Sequence, residues 1–208
     1  MGQMGRPRRF DESALLDAAL ELFWSKGFDR TSVEDVSAAA GVGNGSIYAA
    51  YGSKMRLFLT VFDRYCERRT EFVREVILSA PGSVRSAVHA LFKAIIADCA
   101  SHPDRRGCLM INSIAQFGDH MPEVVAISTR ATEQMEAGIA DRLRSATGPD
   151  IADVGEDRIS ALSANILLVS QGLIQLSRLG TPAERLHEVA EVFCDALPFP
   201  RASMSPVY

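Results

Sequence analysis

The sequence lacks the excess of basic residues with which many proteins bind nucleic acid through overall charge. Its 22 Lys and Arg side chains are outnumbered by 26 Asp and Glu, and the formal net charge is −4 at pH 7. Residues 1–65 carry as many basic as acidic side chains, so the acidity lies in the later part of the chain. Any binding to nucleic acid must therefore depend on local basic groups and on oriented backbone amides.

Cysteine is also scarce, and its four positions contain no C-x-x-C pair. A disulfide framework or a zinc site is therefore not expected, and reduced thiols in the cytoplasm are the default. The histidines show no metal-ligand spacing either, so we expect neither a metal nor another cofactor. The residues concerned are Cys66, Cys99, Cys108, Cys194, His89, His102, His120 and His187.

No uninterrupted apolar run approaches the ~18 residues that suggest a membrane-spanning helix. The basic N-terminus is not followed by an apolar core of signal-peptide length. We therefore expect a cytoplasmic protein without a membrane partner. The 208 residues, 47% of them apolar, suffice for one large domain or two small ones with a real core.

Strand patterns are absent, and apolar residues recur at helical spacing along nearly the whole chain. Start and stop signals divide this pattern into about nine helices, which predicts an all-α fold. The signals are N-caps at Asp11 and Ser53, C-caps at Gly27 and Gly41, and capping boxes at Thr31–Glu34 and Thr181–Glu184.

Residues 41–54, GVGNGSIYAAYGSK, combine turn residues with the pattern of a second short helix. Together with the short helix before Gly41, they predict a helix-turn-helix. We predict that Ile47 faces inward on the second helix. The residues predicted to face outward are Asn44, Gly45, Ser46 and Tyr48. Glycine destabilises a helix by about 0.5–1 kcal/mol relative to alanine. We interpret Gly45 as a residue that allows the helix backbone to approach DNA closely.

The following helix begins Ser53-Lys54-Met55-Arg56, with two cations and no acid in its first turn. The helix dipole disfavours such cations by roughly 0.3–1 kcal/mol per exposed charge. A bound phosphate reverses this effect, because the free amides of the first turn and the Lys54 ammonium then converge on one anion. The pattern therefore predicts contact with the DNA backbone.

Residues 5–57 carry an ordered set of motifs: a helix ending in Lys-Gly-Phe, a helix starting at Thr, then Ala-Gly-Val, Gly-Ser-Ile-Tyr, an aromatic residue and Gly-Ser-Lys. The segment resembles the N-terminal DNA-binding domain of TetR-type transcriptional regulators. The resemblance implies a homodimeric repressor that leaves a palindromic double-stranded operator when a small molecule binds. It implies an N-terminal three-helix helix-turn-helix domain, placed at 1–52, and a larger helical ligand-binding and dimerisation domain at 53–198, with a tail at 199–208.

Position by position, the resemblance implies phosphate contacts for Thr31, Tyr48 and Lys54, and base-facing positions for Asn44, Gly45 and Ser46. The chain departs from the family pattern at Gly43, Asn44 and Ala49-Ala50, where larger polar or aromatic residues are common. Arg6, Arg8 and Arg9 precede the first acid, Asp11, and form either an arm that reaches the minor groove or a solubilising tail.

Residues 106–112 resemble a segment that lies beside the ligand cavity in one branch of these regulators, which includes sensors of electrophiles or oxidants. Cys108 is then either a small inert hydrophobic residue or a sensing thiol that Arg105, Arg106 or a helix N-terminus activates. The expected ligand-binding residues, for which core packing is the alternative, are Phe92, Cys108, Met110, Phe117, Met121 and Gln171.

Apolar residues between 159 and 176 recur at alternating steps of three and four, and a second apolar side predicts a helix that is buried all round. This pattern fits an internal core helix or, with the implied architecture, a dimer interface. The expected dimerisation residues are Ile159, Leu162, Ile166, Val169, Leu173, Leu186, Val189 and Phe193.

Two other classes of protein compete with a ligand-responsive repressor. An enzyme is not expected, because no nucleophile–base pair, paired carboxylates or phosphate-binding loop stands out. An activator, or a DNA-binding protein that ignores small molecules, shares the same N-terminal motifs and stays open.

Overall fold

The computed structural model describes residues 11–145 and 155–199. Within these residues the fold consists of nine α-helices without a β-strand, which confirms the all-α prediction. The helices are α1 Glu12–Lys26, α2 Val33–Ala40, α3 Asn44–Tyr51, α4 Lys54–Ser79, α5 Val84–Ala100, α6 Leu109–Phe117, α7 Pro122–Arg144, α8 Glu156–Arg178 and α9 Ala183–Ala196.

The chain divides into two compact units, Met1–Tyr65 and Cys66–Tyr208. This division falls inside α4, later in the chain than the boundary expected after residue 52. The helix-turn-helix and the first part of α4 thus belong to one compact unit, and the functional boundaries of the domains stay a prediction.

An aromatic cluster holds the first unit together. The ring centroid of the buried Phe58 lies 5.3 Å from that of Phe23, 5.2 Å from that of Phe28 and 5.8 Å from that of Phe62. Edge-to-face pairs such as the first two add about 0.5–1.5 kcal/mol each to the stabilisation that burial provides. The start of α4 is therefore fixed against the end of α1 and the loop that follows it.

The capping box of α2 lies one residue later than predicted. Ser32, not Thr31, is the N-cap: its hydroxyl accepts the Asp35 amide at 3.0 Å, and the Asp35 carboxylate accepts the Ser32 amide at 2.8 Å. The hydrogen bonds from the backbone and side chain of Ser32 lower the pKa of the Asp35 carboxyl below its usual value. Thr31 is instead 1% exposed, and its hydroxyl donates to the Gly27 carbonyl at 2.8 Å.

The second unit is a helical bundle in which α5 packs against α8 and α9, and α7 packs against α6 and α8. Ser83 caps α5, accepting the Ser86 amide at 3.2 Å. The predicted capping box at Thr181–Glu184 is wrong: Pro182 occupies the N-cap of α9, which has no side-chain cap hydrogen bond. Proline at this position fixes its own backbone torsion and cannot extend the helix backwards.

Arg85 on α5 closes the C-terminal end of α9. Its guanidinium, in a side chain that is 15% exposed, donates to the carbonyls of Cys194, Leu197 (3.0 Å) and Phe199 (2.6 Å). Carbonyls at a helix end have no partner within the helix, so this cation satisfies several of them at once.

We expect Arg85→Met to lower the free energy of unfolding by about 2 kcal/mol, because charge-assisted hydrogen bonds are lost and half-buried carbonyls are left without donors. Chemical denaturation measures this change. The matched control is Arg185→Met, since Arg185 pairs with Glu188 on an exposed face and should lose less than about 0.5 kcal/mol. Equal losses for the two variants would contradict the role of Arg85 at this helix end.

Candidate nucleic-acid interface

The turn between α2 and α3 has the compact geometry of a helix-turn-helix. Gly41 adopts the left-handed conformation (φ 64°, ψ 27°) that ends α2 and that other residues rarely adopt. The Ser37 hydroxyl donates to the Val42 carbonyl at 2.6 Å, which ties the turn back to α2. The sequence predicted both the turn and its small residues, and it is the turn that fixes the direction of α3.

The orientation predicted for α3 is confirmed except at Asn44, which is half-buried. Ile47 is 1% exposed, whereas Tyr48 is 47% exposed and Gly45 and Ser46 lie on the surface. The end of α3 is anchored by Tyr51, whose hydroxyl donates to Glu12 Oε1 at 3.0 Å. Burial and the neighbouring Glu12 carboxylate raise the pKa of Tyr51 to about 12, so this donor stays protonated at neutral pH.

Gly45 is not required by packing or by backbone conformation. A Cβ atom added to it would meet no atom within 4 Å. The fold would therefore tolerate a side chain at position 45, and the glycine leaves the helix backbone exposed there.

Asn44, at the first position of α3, has a partner that the sequence did not suggest. Its Nδ2 lies 3.4 Å from Glu34 Oε1, a long hydrogen bond, on the exposed side of α2. Within the described part of the chain, the buried Asn44 Oδ1 has no hydrogen-bond partner. The sequence predicts a capping-box role for Glu34, and no local pattern indicates this contact with a recognition-helix residue ten positions away.

Lys54, the first residue of α4, is held against an aromatic ring. Its ammonium nitrogen lies 4.1 Å from the centroid of the Phe28 ring. Such a contact stabilises the observed position by about 0.5–1 kcal/mol at an exposed site. Ser53 caps the same helix end as predicted, accepting the Arg56 amide at 3.2 Å. The first turn of α4 thus presents a positioned cation beside free amides.

Four of the expected DNA-contact residues are not among those on the described surface. The buried Thr31 hydroxyl bonds within the unit, so its side chain is not available to a phosphate. The three arginines Arg6, Arg8 and Arg9 lie outside the described residues. The other expected residues are at least partly exposed: Asn44, Gly45, Ser46 and Tyr48 on α3, and Lys54 at the start of α4.

The expected ligand-binding residues are mostly packed in the core of the second unit. Phe92 is 0% exposed, and its ring lies 5.6 Å from that of Phe193. Cys108, Met110 and Phe117 are buried, while Met121 and Gln171 are half-buried. Three cavities of this unit, of about 370, 360 and 560 Å³, are lined by other residues.

The expected dimerisation stripe needs a correction. Ile159, Ile166, Leu173 and Leu186 are at most 6% exposed and pack inside their own chain. Leu162, Val169, Val189 and Phe193 are half-buried. The large apolar side chains that the second unit leaves exposed on α8 and α9 and just after α8 are Leu168 (65%), Leu176 (36%), Leu179 (80%) and Val192 (72%).

Helix α8 is therefore not buried all round within one chain. It is the described helix that is long and apolar enough to cross a membrane by length and composition, and 33% of its most apolar window is buried. A core helix of a bundle passes the same test. Its exposed apolar side is a surface that water disfavours.

Groups of three or more residues suited to hold a metal ion do not occur among residues 11–145 and 155–199. The feature of the described surface that suits DNA binding is therefore helix α3, with few large side chains at its start, followed in the chain by the positioned Lys54 ammonium.

Comparisons with known proteins agree with this geometry. A family model described as "Bacterial regulatory proteins, tetR family" matches residues 15–61. The chain is 31% identical to the HTH-type transcriptional repressor ComR of Escherichia coli (strain K12), covering 89% of this chain and 88% of ComR. It is 29% identical to the HTH-type transcriptional regulator YezE of Bacillus subtilis (strain 168), covering 93% of this chain and 100% of YezE.

Among solved structures, a cysteine mutant of the TetR family regulator CifR in complex with 26-base-pair operator DNA is similar over the whole fold. It has a TM-score of 0.73 and 28% identity, covering 93% of this chain and 100% of that one. Helix-turn-helix geometry, a matching family model and a 31% identical relative of similar length lead to one conclusion. The chain belongs to the TetR family and is a DNA-binding transcriptional regulator.

Proposed function

We propose that the protein is a homodimeric cytoplasmic repressor that binds a palindromic operator and is released when a small molecule binds its second unit. The observation that carries the proposal is the bare, outward surface of α3 beside the held Lys54. The relatives ComR and BdcR are named as repressors, and CifR was solved on operator DNA.

In this proposal the start of α3 enters the major groove, and Gly45 allows its backbone to approach the base edges. The Asn44 Nδ2 and the Ser46 hydroxyl provide polar groups for base or phosphate oxygens. Tyr48 and Lys54 contact the phosphates on either side. Arg6, Arg8 and Arg9 add minor-groove contacts from the N-terminal arm.

The proposed dimer buries the exposed apolar side chains of the second unit. Leu168 and Leu176 lie two helical turns apart on α8, Leu179 follows it, and Val192 lies on α9. Exposed apolar groups of this size gain free energy at about 25 cal/mol per Å² when a second copy covers them. Two copies related by a two-fold axis then present two recognition helices to a palindromic operator.

We expect Lys54→Ala to weaken binding to operator and to unrelated DNA alike, because a phosphate contact carries no sequence information. The slope of log affinity against log salt should become shallower by about one. Fluorescence anisotropy at several salt concentrations measures both quantities, with Lys93→Ala, an exposed lysine of α5, as the control. A loss confined to operator DNA would contradict the phosphate contact.

Cys108 offers a test of how release is triggered. Cys108 is 9% exposed and sits at the N-cap of α6. If this thiol is the sensor, alkylation of Cys108 should lower operator affinity at least about tenfold, and Cys108→Ser should abolish the response. A mass-verified, alkylated protein with unchanged operator affinity would remove the sensor role and leave release to a non-covalent ligand.

Activation is the second candidate function, because one relative over part of the chain is the transcriptional activator FasR, at 30% identity over 44% of this chain. In vitro transcription from the bound promoter separates the two. A repressor gives fewer transcripts as protein is added, and more transcripts would favour activation.

A further inference from the structure

A cavity of about 360 Å³ opens in the second unit between the end of α5, the loop before α6 and the turn between α8 and α9. It combines two kinds of surface. Ile96 and Leu186 are buried apolar side chains that form one part of its lining. Arg105 and the hydroxyl-bearing Ser177 and Thr181 form another part. Such a mixture suits a small ligand with one polar and one apolar end.

The lining of this cavity carries positive charge and no carboxylate. The acids next to the loop already have cations of their own: Asp98 accepts from Arg69 at 2.9 Å, and Asp104 pairs with Arg106 at 2.8 Å. Across the described residues, the guanidinium of Arg105 forms neither an ion pair nor a hydrogen bond. The cavity therefore has an unneutralised cation at its edge.

The backbone of Arg105 has an unusual conformation. Arg105 has a φ of 53°, the one positive value among the described non-glycine residues, in a turn closed by its amide and the His102 carbonyl at 3.0 Å. Its Nη1 lies 2.6 Å from the point that a Cβ on Gly180 would occupy. A side chain at Gly180 would therefore displace the guanidinium from its observed position.

The thiol in this cavity adds no negative charge. Burial raises the pKa of Cys99 above its ordinary value, although a side-chain hydrogen bond with Ser177 opposes this effect. The thiol is therefore protonated at neutral pH and does not compete with an anion for Arg105.

We propose that this cavity binds a small organic carboxylate, with the carboxylate paired to the Arg105 guanidinium and the apolar part against Ile96 and Leu186. A guanidinium recognises a carboxylate through two parallel N–H···O bonds, which a neutral amide does not reproduce. If the protein is a ligand-responsive repressor, such a carboxylate is its effector. This assignment of the effector rests on the proposed function, whereas the binding site itself does not. Binding itself is independent of DNA.

Isothermal titration calorimetry of the full chain without DNA tests the site. The probes are benzoate and hexanoate, and benzamide and hexanamide are their neutral counterparts. We expect at least one carboxylate to bind, and to bind at least tenfold more tightly than its amide. Arg105→Gln should lower the affinity for that carboxylate at least tenfold, and Arg105→Lys should lower it by less. Arg158→Gln, an exposed arginine of α8 outside this cavity, should leave the affinity unchanged.

Three results would overturn the site: no carboxylate binding at millimolar concentration, equal binding of acid and amide, or unchanged affinity in Arg105→Gln with its fold intact by circular dichroism. Failure of the proposed function has a different signature, because operator binding is measured separately. A protein that binds the carboxylate and ignores every DNA duplex keeps the site and loses the repressor.

Discussion

Leu168→Arg is expected to convert the dimer to monomers and to weaken operator binding by about 100-fold or more. Leu168 is 65% exposed in one chain, so an arginine there leaves the fold of the chain intact. In the proposed dimer, the same change places a charge in an apolar contact across the two-fold axis, twice per dimer. Two separate DNA-binding units then lose the increase in affinity that comes from being joined in one dimer, which is typically 10²–10⁴-fold.

Sedimentation velocity and operator titration measure the two effects together. The matched control is Val125→Arg, because Val125 is a 41% exposed apolar residue of α7, a helix that contributes no side chain to the proposed contact. It should remain dimeric and bind the operator normally. A dimer that survives Leu168→Arg would contradict an interface through this side of α8, and a folded wild-type monomer with full operator affinity would contradict dimeric recognition altogether.

Gly45→Glu is expected to reduce operator affinity at least about 100-fold. The position is open in the protein, so the folded chain accepts the side chain. On DNA, however, a carboxylate at this point meets phosphates and base-edge acceptors, and like-charge juxtaposition in an interface costs several kcal/mol. Gly155→Glu is the matched control, because it adds the same charge at another open glycine, in the second unit.

Gly45→Ala separates stability from binding. We expect the free energy of unfolding of the first unit to rise by about 0.5–1 kcal/mol, because alanine favours the helix. Operator affinity should fall, because the added methyl group holds the backbone away from the groove. If Gly45→Ala bound DNA as tightly as the unchanged chain, the glycine would have no role in close approach.

The sequence predicted the first unit well because its signals are local. Caps, turn glycines and the inward Ile47 act within a few residues, and each lies where the pattern placed it apart from the cap of α2. There, Thr31 and Ser32 are both followed by an acid three residues later, so spacing alone did not distinguish them. The buried hydrogen bond of the Thr31 hydroxyl to Gly27 decided which residue became the cap.

The second unit was less predictable because its functional surfaces depend on long-range packing. α8 has apolar residues on two sides, and the periodicity did not show which side faces its own chain. The structure gives Ile166 and Leu173 to the core and leaves Leu168 outside. The cavity at Arg105 joins residues from 96 to 186, and no local pattern connects them.

Selection of genomic DNA fragments by the purified full chain at low ionic strength tests the central claim, dimeric operator recognition, most directly. We predict enrichment of an inverted repeat whose half-sites are centred one helical turn of DNA apart, or a multiple of it, bound by an even number of subunits. Enrichment of no sequence, together with a strictly monomeric protein, would contradict that claim.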